Sequence, residues 1–336
     1  MSKINFVIVG TGMISSVHAE AINSTERAYL YGVYDKNRER AMKFAEKYGI
    51  KCYVSYEEVL CDADVGAVSI CTPSGFHADQ SVAALEHGKN VIVEKPMALN
   101  TADCDRVIRA VERTGKKLAV ICQFRYNKDV QRVRELYKEK AFGTVSLCDL
   151  YMKYWREPAY YSESNWRGTK SLDGGGALIN QGIHGVDLLL YITGGAEVIS
   201  AETKAAYHDI EVEDTAVALL KFPCGALGVL EASTCAYPGF ERSLEIHGSG
   251  GCVIMKNGTI ERLTVNGKDI LLDTVYEANG GYASDPSVTD YTNHAEEYRN
   301  YIAALYDEEE LLIDAYEGKK AVELIESIYK LSGANN

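Results

Sequence analysis

No apolar run in the chain reaches the roughly 18 residues that a membrane-spanning helix needs. The richest stretches, around Leu188 and Leu219, are short and interrupted, so no membrane partner is expected. C-x-x-C is absent. The nine cysteines, at 52, 61, 71, 104, 122, 148, 224, 235 and 252, are odd in number and scattered. That pattern speaks against a disulfide framework or a zinc knuckle and for reduced thiols in a cytoplasmic protein. H-E-x-x-H and comparably spaced ligand sets are missing as well, and no metal is expected. Basic residues are in deficit, with 35 Lys plus Arg against 48 Asp plus Glu and a formal net charge of -13. Such a surface disfavours nucleic acid, although a few local donors would still suffice for a small anionic ligand. The opening MSKINFVIVG has no basic region, long apolar core or small-residue cleavage site, so it is not read as an export signal.

What is present is an ordinary globular composition, 46% hydrophobic and 25% charged over 336 residues, long enough for two cores. The first third alternates strand-like runs (INFVIVG, YLYGVYD, GAVSICTP, NVIVEKP, KLAVICQ) with amphipathic helical segments. That alternation predicts an α/β unit, a Rossmann-type doubly wound parallel sheet over residues 1–122. From 123 to 336 a helix near 128–139 precedes several short strands separated by turn signals. They predict an α+β domain with an open, largely antiparallel sheet. SDPSVTDYTNHAEEYRNYIAAL and a last helix from about Asp314 to Tyr329 are expected to cover one face of that sheet.

GTGMIS follows the first strand and opens a helix. Gly10 permits a tight turn, Gly12 lets backbone approach a pyrophosphate, and Met13 and Ile14 complete the expected cofactor turn. Asp35, ending the next strand, would accept from a ribose diol and repel a 2′-phosphate, which favours NAD over NADP. Two further loops leave strands of the same sheet, one with Thr72, Pro73 and His77, the other with Glu94, Lys95 and Pro96. Ligands of such sheets sit beyond the strands' carboxyl ends, so all five residues before Pro96 are candidate cofactor contacts. The plainer reading is a strand stop at Pro73, a helix start at His77 and a solvated lysine at 95.

The stretch GGGALINQGIHGVDLLLYITG (174–194) poses a second choice. Asn180, His184 and Asp187 lie at i, i+4 and i+7, one side of a helix. They read either as a catalytic face or as a core helix with a few satisfied polar groups. Upstream, YWREPAYYSESNWRGTKS supplies Tyr154 and Arg167 as candidate substrate contacts, with Arg156 beside them, or a self-packed surface loop.

Taken together, GTGMIS, the Asp35 strand end, CTPSGFHADQSVAALEHGKNVIVEKPMAL and GGGALINQGIHGVDLLLYITG resemble the glucose–fructose oxidoreductase, inositol dehydrogenase and rhizopine-catabolism (Gfo/Idh/MocA) family. The resemblance spans essentially the whole chain. It implies an NAD-dependent enzyme whose second-domain sheet makes subunit contacts, hence a homodimer or homotetramer. It further implies that Lys95 and His184 flank the substrate near the nicotinamide, with His294 close to the pocket. Where polyol dehydrogenases of the family often have aspartate, this chain has Asn180, in a setting similar to enzymes that oxidise the 3-hydroxyl of nucleotide-linked sugars. Asparagine cannot act as a base, so that duty moves to His184 or Lys95. The expectation is hydride transfer from a secondary hydroxyl of a sugar, sugar derivative or cyclitol. Nucleotide-sugar 3-dehydrogenation with retained cofactor, or a non-enzymatic NAD-binding regulator on the same frame, stand as alternatives. The roles of Arg156 and Asp187 stay open.

Overall fold

A computed structural model describes residues 3–270 and 291–333. The chain divides into two compact units, residues 1–123 with 289–319, and residues 124–288 with 320–336. Part of the sequence reading falls outside the described residues, namely SDPSVTD (284–290) and the end of the strand-like KDILLD.

The first unit is built on six strands: β1 (Ile4–Val9), β2 (Ala28–Tyr34), β3 (Lys51–Cys52), β4 (Ala67–Ile70), β5 (Asn90–Val93) and β6 (Leu118–Val120). They lie in the order β3-β2-β1-β4-β5-β6, all parallel. Every residue of β4 is buried, as a strand covered on both faces requires, and its one polar residue, Ser69, is hydrogen-bonded inside the unit. The flanking helices are set by their caps. Asn37 accepts from the N–H of Arg40 at the start of the helix Arg38–Tyr48, and Gly49 ends that helix in the left-handed region. Asn100 and Gly115 do the same for the helix Thr101–Thr114. Strand order reverses at β1 and β4, so the crevice beyond their carboxyl ends is the place where such a sheet binds a ligand.

The late helix Thr292–Leu305 belongs to this unit rather than covering the second sheet. Its Tyr298 packs edge-on to Phe6 of β1 at 5.4 Å between ring centroids, with Tyr301 tilted against the same ring. Two large aromatics three residues apart on one face bury too much surface to leave in solvent, and β1 offers the matching apolar face.

The second unit carries an eight-stranded sheet in the order β14-β13-β12-β11-β7-β10-β9-β8. Its strands are β7 (Val145–Lys153), β8 (Glu197–Lys204), β9 (Thr215–Lys221), β10 (Leu227–Ser233), β11 (Ser243–Gly248), β12 (Gly251–Lys256), β13 (Thr259–Val265) and β14 (Lys268–Asp269). All neighbours are antiparallel except β7 and β10. In β9 the buried Ala216, Ala218 and Leu220 alternate with exposed Val217 and Leu219, so one face is covered and the other open. The covered face takes the helix Ile183–Thr193. Gly185 lets it settle onto β7: a Cβ there would come within 2.6 Å of Met152 Sδ.

Candidate active site

In the first unit the turn after β1 is shaped by one glycine. Gly10 has φ +98°, and a Cβ on it would lie 2.8 Å from the carbonyl oxygen of Cys71 at the end of β4. Side-chain-free backbone therefore floors the crevice between the two strands. The helix that follows, Ser15–Ser24, begins with Ser15 donating its hydroxyl to the Gly12 carbonyl at 2.6 Å. Serine thus fits where a third small residue belongs, buried at the helix start, while Met13 stays half exposed beside it. Open N–H groups at a helix start favour an anionic pyrophosphate.

Asp35 ends the next strand. Its Oδ2 accepts from the Thr11 N–H and hydroxyl, both at 2.7 Å, and its Oδ1 from the Asn37 N–H. Burial pushes this carboxyl up, but those hydrogen bonds and the nearby Arg40 outweigh it and hold it below its ordinary value. It is an anion at neutral pH, its two oxygens also reached by Arg40 Nη2 at 3.4 Å. His77 is buried, with Nδ1 at 2.7 Å from the Pro96 carbonyl oxygen and Nε2 at 2.8 Å from that of Thr72. The imidazole lies between the two loops that flank the crevice, and in its neutral form its single N–H donates to one of these carbonyls.

Lys95 sits on the second of those loops. Its backbone N–H donates to Glu94 Oε2 at 3.1 Å, and Glu94 Oε1 lies 3.0 Å from His18 Nε2. His18 Nδ1 meets the Tyr298 hydroxyl at 2.8 Å and the Ser69 hydroxyl at 2.9 Å. Burial draws the His18 pKa down against the pull of Glu94. Burial alone would raise Glu94, yet His18, His294 and Lys95 keep it well below the usual carboxylate range. The partners assign His18 as neutral with its proton on Nε2, donating to an anionic Glu94. His294 is fully buried, its ring edge-on to His18 and its Nε2 3.8 Å from Glu94 Oε1, beyond hydrogen-bond length. Among the described residues, His18, Glu94 and His294 are the group whose ligand atoms, within 4.8 Å of one another, could hold a metal ion. Their separation at Glu94–His18 is already that of a hydrogen bond.

In the second unit, residues Ala177–Gly182 wind as a π-helix before the α-helix Ile183–Thr193 begins. The wide turn breaks the α-helical spacing of 180, 184 and 187, and each of the three side chains has its own partners. Glu213 holds the π-turn: Oε2 accepts from Gly176 N–H, and Oε1 accepts from Leu178 N–H and the Tyr329 hydroxyl. A Cβ on Gly176 would lie 1.8 Å from the Glu213 carbonyl oxygen, which explains part of the glycine triplet. Asn180 donates through Nδ2 to Asp173 Oδ1 at 2.6 Å, and His184 meets the Phe124 ring edge-on. Asp187 forks onto Arg125 at 2.6 to 3.1 Å inside the core, a structural pairing. Asn180 and His184 are both buried, with 8% and 6% exposure.

Arg156 is buried and donates through Nη2 to Gln181 Oε1 at 2.7 Å. Tyr154 is likewise buried, beneath the Arg156 guanidinium. Arg167, half buried, lies over the Tyr160 ring at 4.2 Å. His18, Ser69, Tyr298, Asp173, Gln181 and Glu213 escaped the sequence reading. Only Asp173, directly before the glycine triplet, and His18, one turn beyond Ser15, had local signals.

The model of the oxidoreductase family with an NAD-binding Rossmann fold matches residues 4–122, and that of the Gfo/Idh/MocA C-terminal domain matches residues 130–254. The chain belongs to the Gfo/Idh/MocA family. Within it, the WlbA dehydrogenase of Bordetella pertussis, crystallised with NADH and UDP-GlcNAcA, is 30% identical, with 98% of this chain and 97% of that one covered at a TM-score of 0.87. The WlbA enzyme of Chromobacterium violaceum, with the same two ligands, is 31% identical over 99% of this chain and 94% of that one, again at 0.87. The myo-inositol 2-dehydrogenase of Thermotoga maritima is 29% identical over 74% of each chain. This family member is an NAD-dependent oxidoreductase. The side-chain-free floor at Gly10, the helix start at Ser15 and the anionic Asp35 fit the dinucleotide.

Proposed function

We propose that the enzyme oxidises a secondary hydroxyl of a sugar, sugar derivative or cyclitol, with His184 as general base and Lys95 donating to the reacting oxygen. The observation that carries this reading is the pair Asn180 and His184 at the start of the second unit's core helix, the amide bound to buried Asp173 and the imidazole edge-on to Phe124, with 8% and 6% of their surfaces exposed. A neutral imidazole takes a hydroxyl proton on its unprotonated nitrogen and returns it in the reverse reaction. An ammonium group stabilises alkoxide character as the proton leaves. NAD, when bound, supplies the acceptor for the hydride from the carbinol carbon. Asn180 orients a neighbouring hydroxyl.

The nearly full-length likeness to WlbA dehydrogenases holding UDP-GlcNAcA favours a nucleotide-linked sugar within that class. The test is NADH absorbance from purified protein and NAD across free sugars, inositols and UDP-linked sugars or uronic acids. Each is run with and without a keto-acid acceptor able to recycle retained cofactor. Lys95→Met and His184→Gln should each lower kcat by about 10²- to 10⁴-fold, the range for loss of a positioned acid or base. NAD binding without turnover of any panel member, in either arm, would replace this reading with that of a regulator.

A further inference from the structure

We infer that Glu213 is a positioning residue: it holds residues 177–182 in the π-turn, and that turn fixes how Asn180 is placed relative to His184. The inference rests on the reading of Asn180 and His184 as residues of the reaction site.

The first N–H groups of a helix have no partner within it. Here the chain offers no cap of its own, since residues 174–178 read GGGAL and the Asp173 carboxylate takes the Gly168 N–H and the Asn180 amide instead. Three successive N–H groups end on one distant residue. Gly176 N–H donates to Glu213 Oε2 at 2.9 Å, Ala177 N–H to the Glu213 carbonyl at 2.9 Å, and Leu178 N–H to Glu213 Oε1 at 2.8 Å. Oε1 also accepts from the Tyr329 hydroxyl at 2.9 Å, and Glu213 is buried. Glu213 is itself fixed from the sheet. The N–H of the next residue, Asp214, donates to the Lys204 carbonyl at the end of β8 at 3.1 Å. The Asp214 carboxylate accepts from the N–H groups of Ala206, Tyr207 and His208 at 2.7 to 2.9 Å.

A π-turn closes its hydrogen bonds over one residue more than an α-turn and occurs mostly as a single bulge in an α-helix. It therefore depends on support from outside. Rewound as α-helix, the residues before Gly182 would slip by one position against those after it, about 100° of rotation. Asn180 lies inside the π-turn and His184 beyond it, so the slip changes their mutual placement. A carboxylate accepts on both oxygens, whereas an amide of the same shape accepts on one. Glu213→Gln thus sets an NH₂ against either the Gly176 or the Leu178 N–H and releases one side of the turn.

Three proteins test this: wild type, Glu213→Gln and Val253→Ala. Val253 is buried in β12, separated from β9 by β11, β7 and β10, and its truncation lowers stability without touching the turn. kcat, NAD affinity and melting temperature are measured on each, together with NMR spectra of ring-labelled histidine, in which His184→Gln identifies the His184 signals. Glu213→Gln should lower kcat about 30- to 100-fold, the effect of a displacement of about 1 Å at the reacting atoms. The His184 ring signals should shift while those of His18 and His77 in the first unit stay, and NAD affinity should hold within about 2-fold. Val253→Ala should lower the melting temperature and leave kcat within about 2-fold of wild type, as loss of stability alone predicts. A folded Glu213→Gln protein with kcat within about 3-fold of wild type overturns the inference. So does one whose His184 signals do not move. Should Glu213→Gln fail to fold, Glu213→Asp takes its place with the same readings, since it keeps the charge and shortens the reach by one methylene. If wild type turns over no sugar or polyol, the proposed function fails, whereas the His184 signals still decide whether Glu213 sets the turn.

Discussion

Between Glu94 and Pro96 the backbone has little freedom. The Lys95 N–H is bound by Glu94, Glu94 is bound by His18, and the Pro96 carbonyl is met by His77. A long, flexible lysine gains precision when its backbone is fixed on both sides, since fewer conformations remain to be lost on aiming the ammonium group. The sequence pattern suggests Glu94 as a cofactor contact; its carboxylate oxygens are bonded within this buried network. Glu94→Gln keeps the shape but trades an anionic acceptor for an amide, whose NH₂ would point at either the His18 Nε2–H or the Lys95 N–H. We expect kcat to fall about 10- to 100-fold, the effect of one lost charge-assisted bond and one mismatched donor. NAD affinity should stay within about 2-fold if Glu94 acts only through the loop, because each tenfold in affinity would require about 1.4 kcal/mol of lost contact. Titration of NAD by protein fluorescence checks this, and a parallel collapse of NAD affinity would place Glu94 at the cofactor after all. Asp35→Ala makes the converse case. It should weaken NAD about 10-fold or more and narrow the gap to NADP, as removal of an anion beside the ribose predicts.

At the scale of elements, the helix Ile183–Thr193 is anchored by one buried ion pair. Arg125 forks onto Asp187, stacks over Tyr191, and shares that ring with Arg134. Asp187→Asn leaves the Arg125 charge enclosed without its counter-charge and should cost about 3–5 kcal/mol in urea unfolding. Replacing both, as Arg125→Met with Asp187→Leu, should recover most of that loss, since a buried pair exchanged for apolar side chains is often neutral. Little recovery would mean that the pair specifies the helix position and not merely its stability. Asp187 also shows where sequence reading reached and where it stopped. The alternating strands, the Gly10 turn and the glycine triplet were legible because turns, caps and apolar periods act over a few residues. Grouping Asn180, His184 and Asp187 on one face assumed an unbroken α-helix, and the π-turn at Ala177–Gly182 overrode it. What set that turn was Glu213, more than thirty residues on. Likewise His18 meets Glu94 across 76 residues and Tyr298 across 280, a separation over which a single sequence carries no spacing signal. The helix Thr292–Leu305 was assigned to the wrong partner for the same reason: its aromatic face identified it as buried, but not against which sheet.

For the molecule as a whole, buried histidines set the acid limit of stability. Burial draws both His18 and His77 below the ordinary imidazole pKa, so the unfolded chain binds more protons over the interval beneath about pH 6.5. Stability is therefore complete above that value and falls as the pH falls. Melting temperature should decline through about pH 6.5 to 5, and His18→Asn should flatten the decline even if it lowers the plateau. The opposite sense holds for the open face of the second unit's sheet, where we propose that copies of the chain associate. Leu147 pairs with Leu227 across β7 and β10, and Leu219 with Val229 across β9 and β10, leaving a contiguous apolar area in a chain of net charge -13. Acidic side chains border it: Glu245 pairs with Asp149, Glu231 lies on β10, and burial pushes the Asp149 carboxyl up. Joining two such faces buries Asp149 further and brings like charges together, so association should tighten with salt and weaken as pH rises, while apolar area drives it. Light scattering behind size exclusion at about 0.05 and 0.5 M salt, concentrations whose screening lengths differ about threefold, measures the shift. Leu219→Glu with Leu227→Glu should give a monomer with unchanged melting behaviour. A variant that stays assembled would place the interface on another surface and leave this face bare.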